Sequence, residues 1–265
     1  KLDTPLGEII DALNRYKRIT EEINDLPAHT ETWLCVELIR RFFSSQLEFI
    51  KIAKQNIEIT DFYDLIQNII FPDGSYGRLG GKSTGLFLAY SILKKSAEND
   101  ALFQNLKIPK TWYIATDGIR KFLQHNNMEE INEHKYKEIH QIRIEYPNII
   151  QLFKNAGFPT SLMKSLSDAL DNFGDSPLIV RSSSLLEDSL GTAFSGKYKS
   201  LFLANQGTKK ERLSALCDAI SEVYASVFGP DPIEYKLERG LIDFHEEMGI
   251  MVQEVVGRHI GKYFF

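Results

Sequence analysis

The chain has 265 residues, 43% hydrophobic and 25% charged, which is ordinary for a soluble globular protein long enough to bury a substantial core. Its net charge of −5 speaks against general binding to nucleic acid or to an anionic membrane, so an anionic ligand requires a local basic pocket. No run approaches the ~18 apolar residues of a membrane span, the charged start does not read as a signal peptide, and the distant cysteines Cys35 and Cys217 suit a reducing, cytoplasmic setting.

Residues 6–19 place Leu6, Ile9, Ile10, Leu13 and Tyr16 at helical spacing. The same period returns between Glu31 and Lys54 through Leu34, Leu38, Ile39, Phe42, Phe43, Leu47 and Ile50. Residues 1–70 are therefore expected to form a helical N-terminal extension, a hairpin packed on the later part of the chain. Arg40 and Arg41 beside Phe42 and Phe43 read as a helix with one wet and one dry face rather than as a binding patch.

The character changes at "FPDGSYGRLGGKSTG", residues 71–85. A phosphate-binding loop of the G-x-x-x-x-G-K-[ST] type fits Gly81-Lys82-Ser83 but needs glycine at position 76, where Tyr76 stands. Two readings stay open at this point. Glycines let backbone N–H groups approach an anion, a following helix adds its positive end, and Lys82 supplies a full charge. Glycine-lysine at a helix start is equally a common structural solution.

Beyond the loop, "STGLFLAYSILKKS" carries Leu86, Tyr90 and Leu93 at helical spacing, and "IPKTWYIAT" reads as a short strand. Asp117 then opens a helix, as its cap or as a candidate magnesium carboxylate. Helical segments follow over about Met128–Asn155 and Ser161–Asn172. "SPLIVRSSS" is a buried strand over Leu178–Val180 that ends in polar residues, and "TAFSGKYKSLFLA" suggests a strand or hairpin around Gly196. Residues 209–228 form an amphipathic helix stopped at Gly229-Pro230-Asp231-Pro232, and "MGIMVQEVVG" closes as a strand.

Arg181 at a buried strand end is costly unless paired, and Glu187-Asp188 offers that pairing; with Lys197 and Lys199 it alternatively makes the basic pocket that the whole-chain charge lacks. The six histidines show no metal-type spacing, and Ser182 to Ser184 stand in no nucleophile-elbow context.

Taken as an ordered set, "GGKSTGL", "KIPKTWYIATDGIRKFL", "VRSSSLLEDSLGTAFSGKYKS" and "MVQEVVG" resemble the N-terminal nucleotide-binding domain of phosphoenolpyruvate synthase and pyruvate phosphate dikinase, over roughly residues 78–257. The resemblance implies an α+β fold: an ATP-grasp-like nucleotide-binding lobe over 71–265, preceded by the helical segment 1–70. It implies that Lys82 and Arg181 bind ATP phosphates, that the Gly196 backbone lies against them, and that Ser200 stands where the family has a phosphate-contacting threonine. It further implies that Gln253 and Val255 contact the adenine edge through their backbone.

The implied reaction is ATP plus pyruvate plus water giving AMP, phosphoenolpyruvate and phosphate, through a phosphohistidine. The phosphohistidine and pyruvate domains are expected elsewhere in a parent chain, with the Mg²⁺ ligands downstream of residue 265. The start at Lys1 rather than Met agrees with a piece of a longer protein, and a piece lacking those parts is expected to be inactive alone. A homodimer is a further implication of the resemblance. Lys197 in place of the usual glutamine, Leu185 in place of a small residue and "PKTWYIAT" leave other acceptors open. These are a rifampin-type or glucan-type phosphotransferase, or a non-catalytic regulatory module.

Overall fold

The computed structural model describes residues 4–22, 27–97, 107–186, 196–244, 246–261 and 263–264. The periodic N-terminal segment forms α1 (Leu6–Glu22), α2 (Ala28–Phe42), α3 (Leu47–Asn56) and α4 (Ile59–Ile66). The chain continues through β1 (Ile69–Ile70), the glycine loop, α5 (Gly81–Ala97), β2 (Thr111–Ile114) and α6 (Gly118–His125). A 3₁₀ segment at Glu129–Tyr136 leads into α7 (Ile139–Asn155) and α8 (Thr160–Phe173). Then come β3 (Leu178–Ser184), β4 (Ser200–Leu203), α9 (Lys209–Ala225), α10 (Pro230–Glu238), β5 (Met248–Glu254) and the small ribbon β6 (His259–Ile260) and β7 (Tyr263–Phe264).

Five strands make one mixed sheet in the order β1-β2-β5-β3-β4. Only β1 and β2 run parallel; β5 is antiparallel to both β2 and β3, and β3 to β4. Side chains alternate along each strand, so the two faces of this sheet carry different residues. Trp112, Ile114, Ile250, Val252, Leu178 and Val180 share one face, and the helices from α6 onward cover it. Tyr113 and Met251 lie on the other face, beneath Phe42, Phe43 and Phe62 of the N-terminal helices and Phe87 of α5. Phe43 and Phe87 meet at 5.0 Å between ring centroids, and Phe42 and Phe62 at 5.6 Å. The sheet is thus sandwiched between two helical layers, each with its own apolar core.

Several expectations change in detail. The strand foreseen over Leu178–Val180 runs on to Ser184, because Ser182, Ser183 and Ser184 pair with Ile250, Gly249 and Met248. The stop at Gly229-Pro230 holds, but Pro230 then occupies the first turn of α10, where its missing N–H costs nothing. The start of α9 is a reciprocal cap: Glu211 N–H donates to Thr208 Oγ1, and Thr208 N–H donates to Glu211 Oε2 at 2.8 Å. No helix among the described residues is long and apolar enough to cross a membrane.

Candidate nucleotide site

The glycine loop crosses the end of β3. A Cβ on Gly80 would lie 1.4 Å from the carbonyl oxygen of Ser183, so only glycine lets the two backbones approach this closely. A Cβ on Gly77 would lie 2.3 Å from Asp117 Oδ1. These two glycines are needed first for packing against protein.

The loop's donors tell the same story. Tyr76 N–H donates to Asp117 Oδ2 at 2.9 Å, Gly77 N–H to Ser75 Oγ, Arg78 N–H to Thr116 Oγ1, and Leu79 N–H to the Phe42 carbonyl. Ser83 N–H donates to Ser183 Oγ, and Thr84 N–H to the Gly80 carbonyl. A ring of free amides of the P-loop kind is therefore not built over residues 76–79. The loop leads into α5, which begins at Gly81 and whose dipole favours an anion at that end.

Asp117 occupies the N-cap position of α6, but its side chain makes no capping bond. Its buried carboxylate instead accepts from Ser75 Oγ at 2.7 Å and from the Tyr76 amide, pinning the loop. The cap reading of its side chain is thereby corrected: the loop outcompetes the helix for the carboxylate.

Lys82, in the first turn of α5, donates from Nζ to Ser182 Oγ at 3.1 Å, across 100 residues of sequence. Ser83 Oγ and Ser183 Oγ lie 2.9 Å apart. Arg181 is half-buried in β3, paired in register with Ser200 of β4 and Met251 of β5. Directly opposite residues share a face, so Arg181 and Ser200 project to the same side. By the same rule Phe202, Ile179, Gln253 and Thr111 form the adjacent row on that side. Four separately recognised residues, Lys82, Arg181, Ser200 and Gln253, thus fall on β3, its strand neighbours and the helix start that abuts it.

Gly196 lies in the turn before β4 with φ +76°, in open space. Gln253 is inside the sheet, its Nε2 donating to Thr111 Oγ1 at 2.9 Å and its backbone flanked by Thr111 and Ile179. Val255 N–H donates to the Pro177 carbonyl at 2.8 Å, which leaves its own carbonyl as the group to offer a ligand.

The expected basic trio does not assemble. Lys199 reaches Glu222 at 3.9 Å, and Lys197 lies over the Tyr235 ring at 5.3 Å. Glu222 belongs to α9 and Tyr235 to α10, in the helical layer on the opposite face of the sheet from Arg181. The Arg181 pairing expected with Glu187-Asp188 lies outside the described residues.

At the end of β3, Ser184 Oγ donates to Glu246 Oε1 at 2.8 Å, and Glu246 also accepts from Tyr198 and from buried Lys236. This closed cluster fixes the strand end. Among the described residues no three or more His, Cys, Asp or Glu side chains come together to hold a metal ion. Asp117 and Glu246, the buried carboxylates here, are both engaged by protein donors, so the residues present do not by themselves fit a Mg²⁺ site.

Residues 76–261 match the family described as pyruvate phosphate dikinase, AMP/ATP-binding domain. The chain belongs to that family. Within this AMP/ATP-binding domain family, 159 residues of the chain are 23% identical to the rifampicin phosphotransferase of Bacillus subtilis (strain 168), spanning 58% of this chain and 18% of that protein. The AMP/ATP-binding match begins at Tyr76, inside the glycine loop, and takes in Lys82, Arg181, Gly196, Ser200, Gln253 and Val255.

Sequence reasoning did not find the contributions of Thr116, Ser182, Ser183 and Glu246. Each acts through a bond to a residue far away in the chain, and the run of three serines was the one local signal that hinted at them.

Proposed function

We propose that the chain supplies one lobe of an ATP-grasp-like phosphotransferase site, in which Lys82 and Arg181 hold nucleotide phosphates at the start of α5. The observation that carries this reading is the bond from Lys82 to Ser182 of β3, the strand that also carries Arg181, within a domain of AMP/ATP-binding type. Phosphoryl transfer needs positioned positive charge more than a covalent catalyst, and these groups are of that kind. Lys82 serves as a point charge, Arg181 as a planar fork for two oxygens, and the first turn of α5 as the positive end of a helix. Gly196 gives the turn beside them a backbone free of side-chain bulk, and Ser200 adds a hydroxyl. Gln253 and the Val255 carbonyl bound the base. Mg²⁺ would supply further positive charge at the phosphates; none of the described residues is assigned to hold it, and its carboxylate ligands are proposed to lie downstream of residue 265 in the parent protein.

In this reading 71–265 is the nucleotide lobe and 1–70 its helical extension. The phosphoryl acceptor in the parent protein is pyruvate, by the order of the four motifs. A second reading, transfer to a rifamycin-type acceptor, is favoured by the similarity to the Bacillus enzyme.

Titration with ATP and Mg²⁺ tests the site. Lys82→Ala and Arg181→Ala are each expected to lower affinity about tenfold or more, the scale of a lost charge-assisted bond. Unchanged affinity in both variants would sink the assignment. In the full-length parent, AMP formation dependent on pyruvate or on rifampicin separates the two acceptors.

A further inference from the structure

The glycine loop is held from two sides, and one of them is the N-terminal helical layer. On the sheet side, Thr116 and Asp117 accept from the Arg78 and Tyr76 amides. On the helical side, Leu6 N–H donates to the Ser75 carbonyl at 2.7 Å, and Leu79 N–H to the Phe42 carbonyl at 2.8 Å. Between those two bonds stands Arg41 of α2. Its Nη1 donates to the Gly77 carbonyl at 2.8 Å, while Nε and Nη2 reach the Thr4 carbonyl at 3.4 and 3.3 Å.

Arg41 is only 4% exposed. Burial holds its guanidinium below its ordinary pKa, and the nearby Arg78 adds to that. An apolar side chain would pack this junction without the desolvation cost. What an apolar side chain cannot do is span two backbone carbonyls from different segments, which the planar guanidinium does. Leu79, the last residue held by α2, directly precedes Gly80 and Gly81 at the start of α5, and Lys82 comes next.

We propose that Arg41 is a positioning residue for the glycine loop, and that α1 and α2 thereby set the nucleotide affinity of a site they do not touch. The proposal rests on the nucleotide reading of the site and adds to it a role for residues outside the family match. Slack at Gly77 moves Gly80 off Ser183, and the start of α5 with Lys82 moves with it.

The test uses Arg41→Met, Arg41→Gln and Arg41→Lys in the 265-residue chain, with two measurements. Hydrogen exchange at the Tyr76–Leu79 amides is expected to quicken about tenfold in Arg41→Met, with β3 and β5 amides unchanged. ATP affinity, titrated with Mg²⁺, is expected to fall by a similar factor. Arg41→Lys, which keeps one charged donor, is expected to recover part of both, with Arg41→Gln between Lys and Met. Unchanged loop exchange overturns the proposal, and so does faster loop exchange with unchanged ATP affinity. Misfolding of all three variants also overturns it, since Arg41 would then act in folding. If the unsubstituted chain binds no ATP, the nucleotide reading fails instead, and the loop-holding role stands or falls on the exchange rates alone.

Discussion

Gly80 and Gly81 stand side by side and do different work. Gly80 lies so close to the Ser183 carbonyl that Gly80→Ala must push the loop off β3. It is expected to cost roughly 3 kcal/mol or more of stability, measured by urea unfolding, because the obstructing atom is backbone and cannot rotate away. A loss within error would mean the loop seats elsewhere. His134 offers a second test at this scale. Its ring is buried, with Nδ1 3.3 Å from Glu145 Oε2 and Nε2 without a partner among the described residues. Burial lowers its pKa, against the opposing pull of Glu145 and with Lys137 adding to the lowering. A depressed histidine favours the neutral folded form, so its stabilisation is present above pH 6.5 and lost as pH falls through the folded pKa. Melting temperature is expected to drop over that window in the unsubstituted chain, and His134→Gln to flatten the drop; parallel profiles would refute the assignment. The charged and small residues proposed for the site, Lys82, Arg181, Gly196 and Ser200, were legible as ordered motifs. Asp117 and Arg41 were visible too, but as a helix cap and a wet helix face. Their actual partners lie 36 to 42 residues away, beyond the reach of any local pattern.

Among the elements, strong periodicity carried the reading. The apolar positions named in α1 and α2 lie where the helical spacing put them, and α7, α8 and α9 fall within segments expected to be helical, since a helix that covers a sheet must be amphipathic. The two-residue strand β1 went unseen inside a segment expected to be helical, and α4 was covered only by that general expectation, because neither is long enough to display a period. Ser182–Ser184 were expected to mark a strand's end, yet they continue it. Hydroxyls are tolerated at full burial when each finds a partner, and Lys82, Ser83 and Glu246 are those partners. Phe62 of α4 is the hub of the aromatic cluster that joins the N-terminal helices to α5, contacting Phe42, Phe43 and Phe87. Phe62→Ala is expected to cost about 3–5 kcal/mol by urea unfolding, the range for a fully buried aromatic. A cost under about 1 kcal/mol would show that α4 is loosely attached.

At the scale of the molecule, the two apolar cores have unequal standing in the sequence. The core under α6–α9 belongs wholly to residues inside the family match, apart from Ile70. The other is built mostly from residues before position 76, closed by Leu79, Phe87, Tyr113, Ala115 and Met251. Deleting residues 1–66 therefore uncovers most of the apolar core on one face of the sheet, leaving α5 alone over it. The product is expected to aggregate or to bind a dye for exposed apolar surface, and a monodisperse, cooperatively melting fragment would contradict this. Pattern reading set the helical segment apart from the lobe because composition changes sharply at the glycine loop. What composition does not reveal is that the first core needs the sheet as its floor.

The longest pairings of the sheet also impose an order in time. β5 lies between β2 and β3, which do not pair with each other, yet it is the last of the five strands in chain order. Until residues 248–254 leave the ribosome, the nascent polypeptide holds a parallel pair and a hairpin with nothing to join them. Assembly must wait for synthesis to pass Glu254, and during that interval the apolar edges of both half-sheets are left to whatever chaperone meets them first.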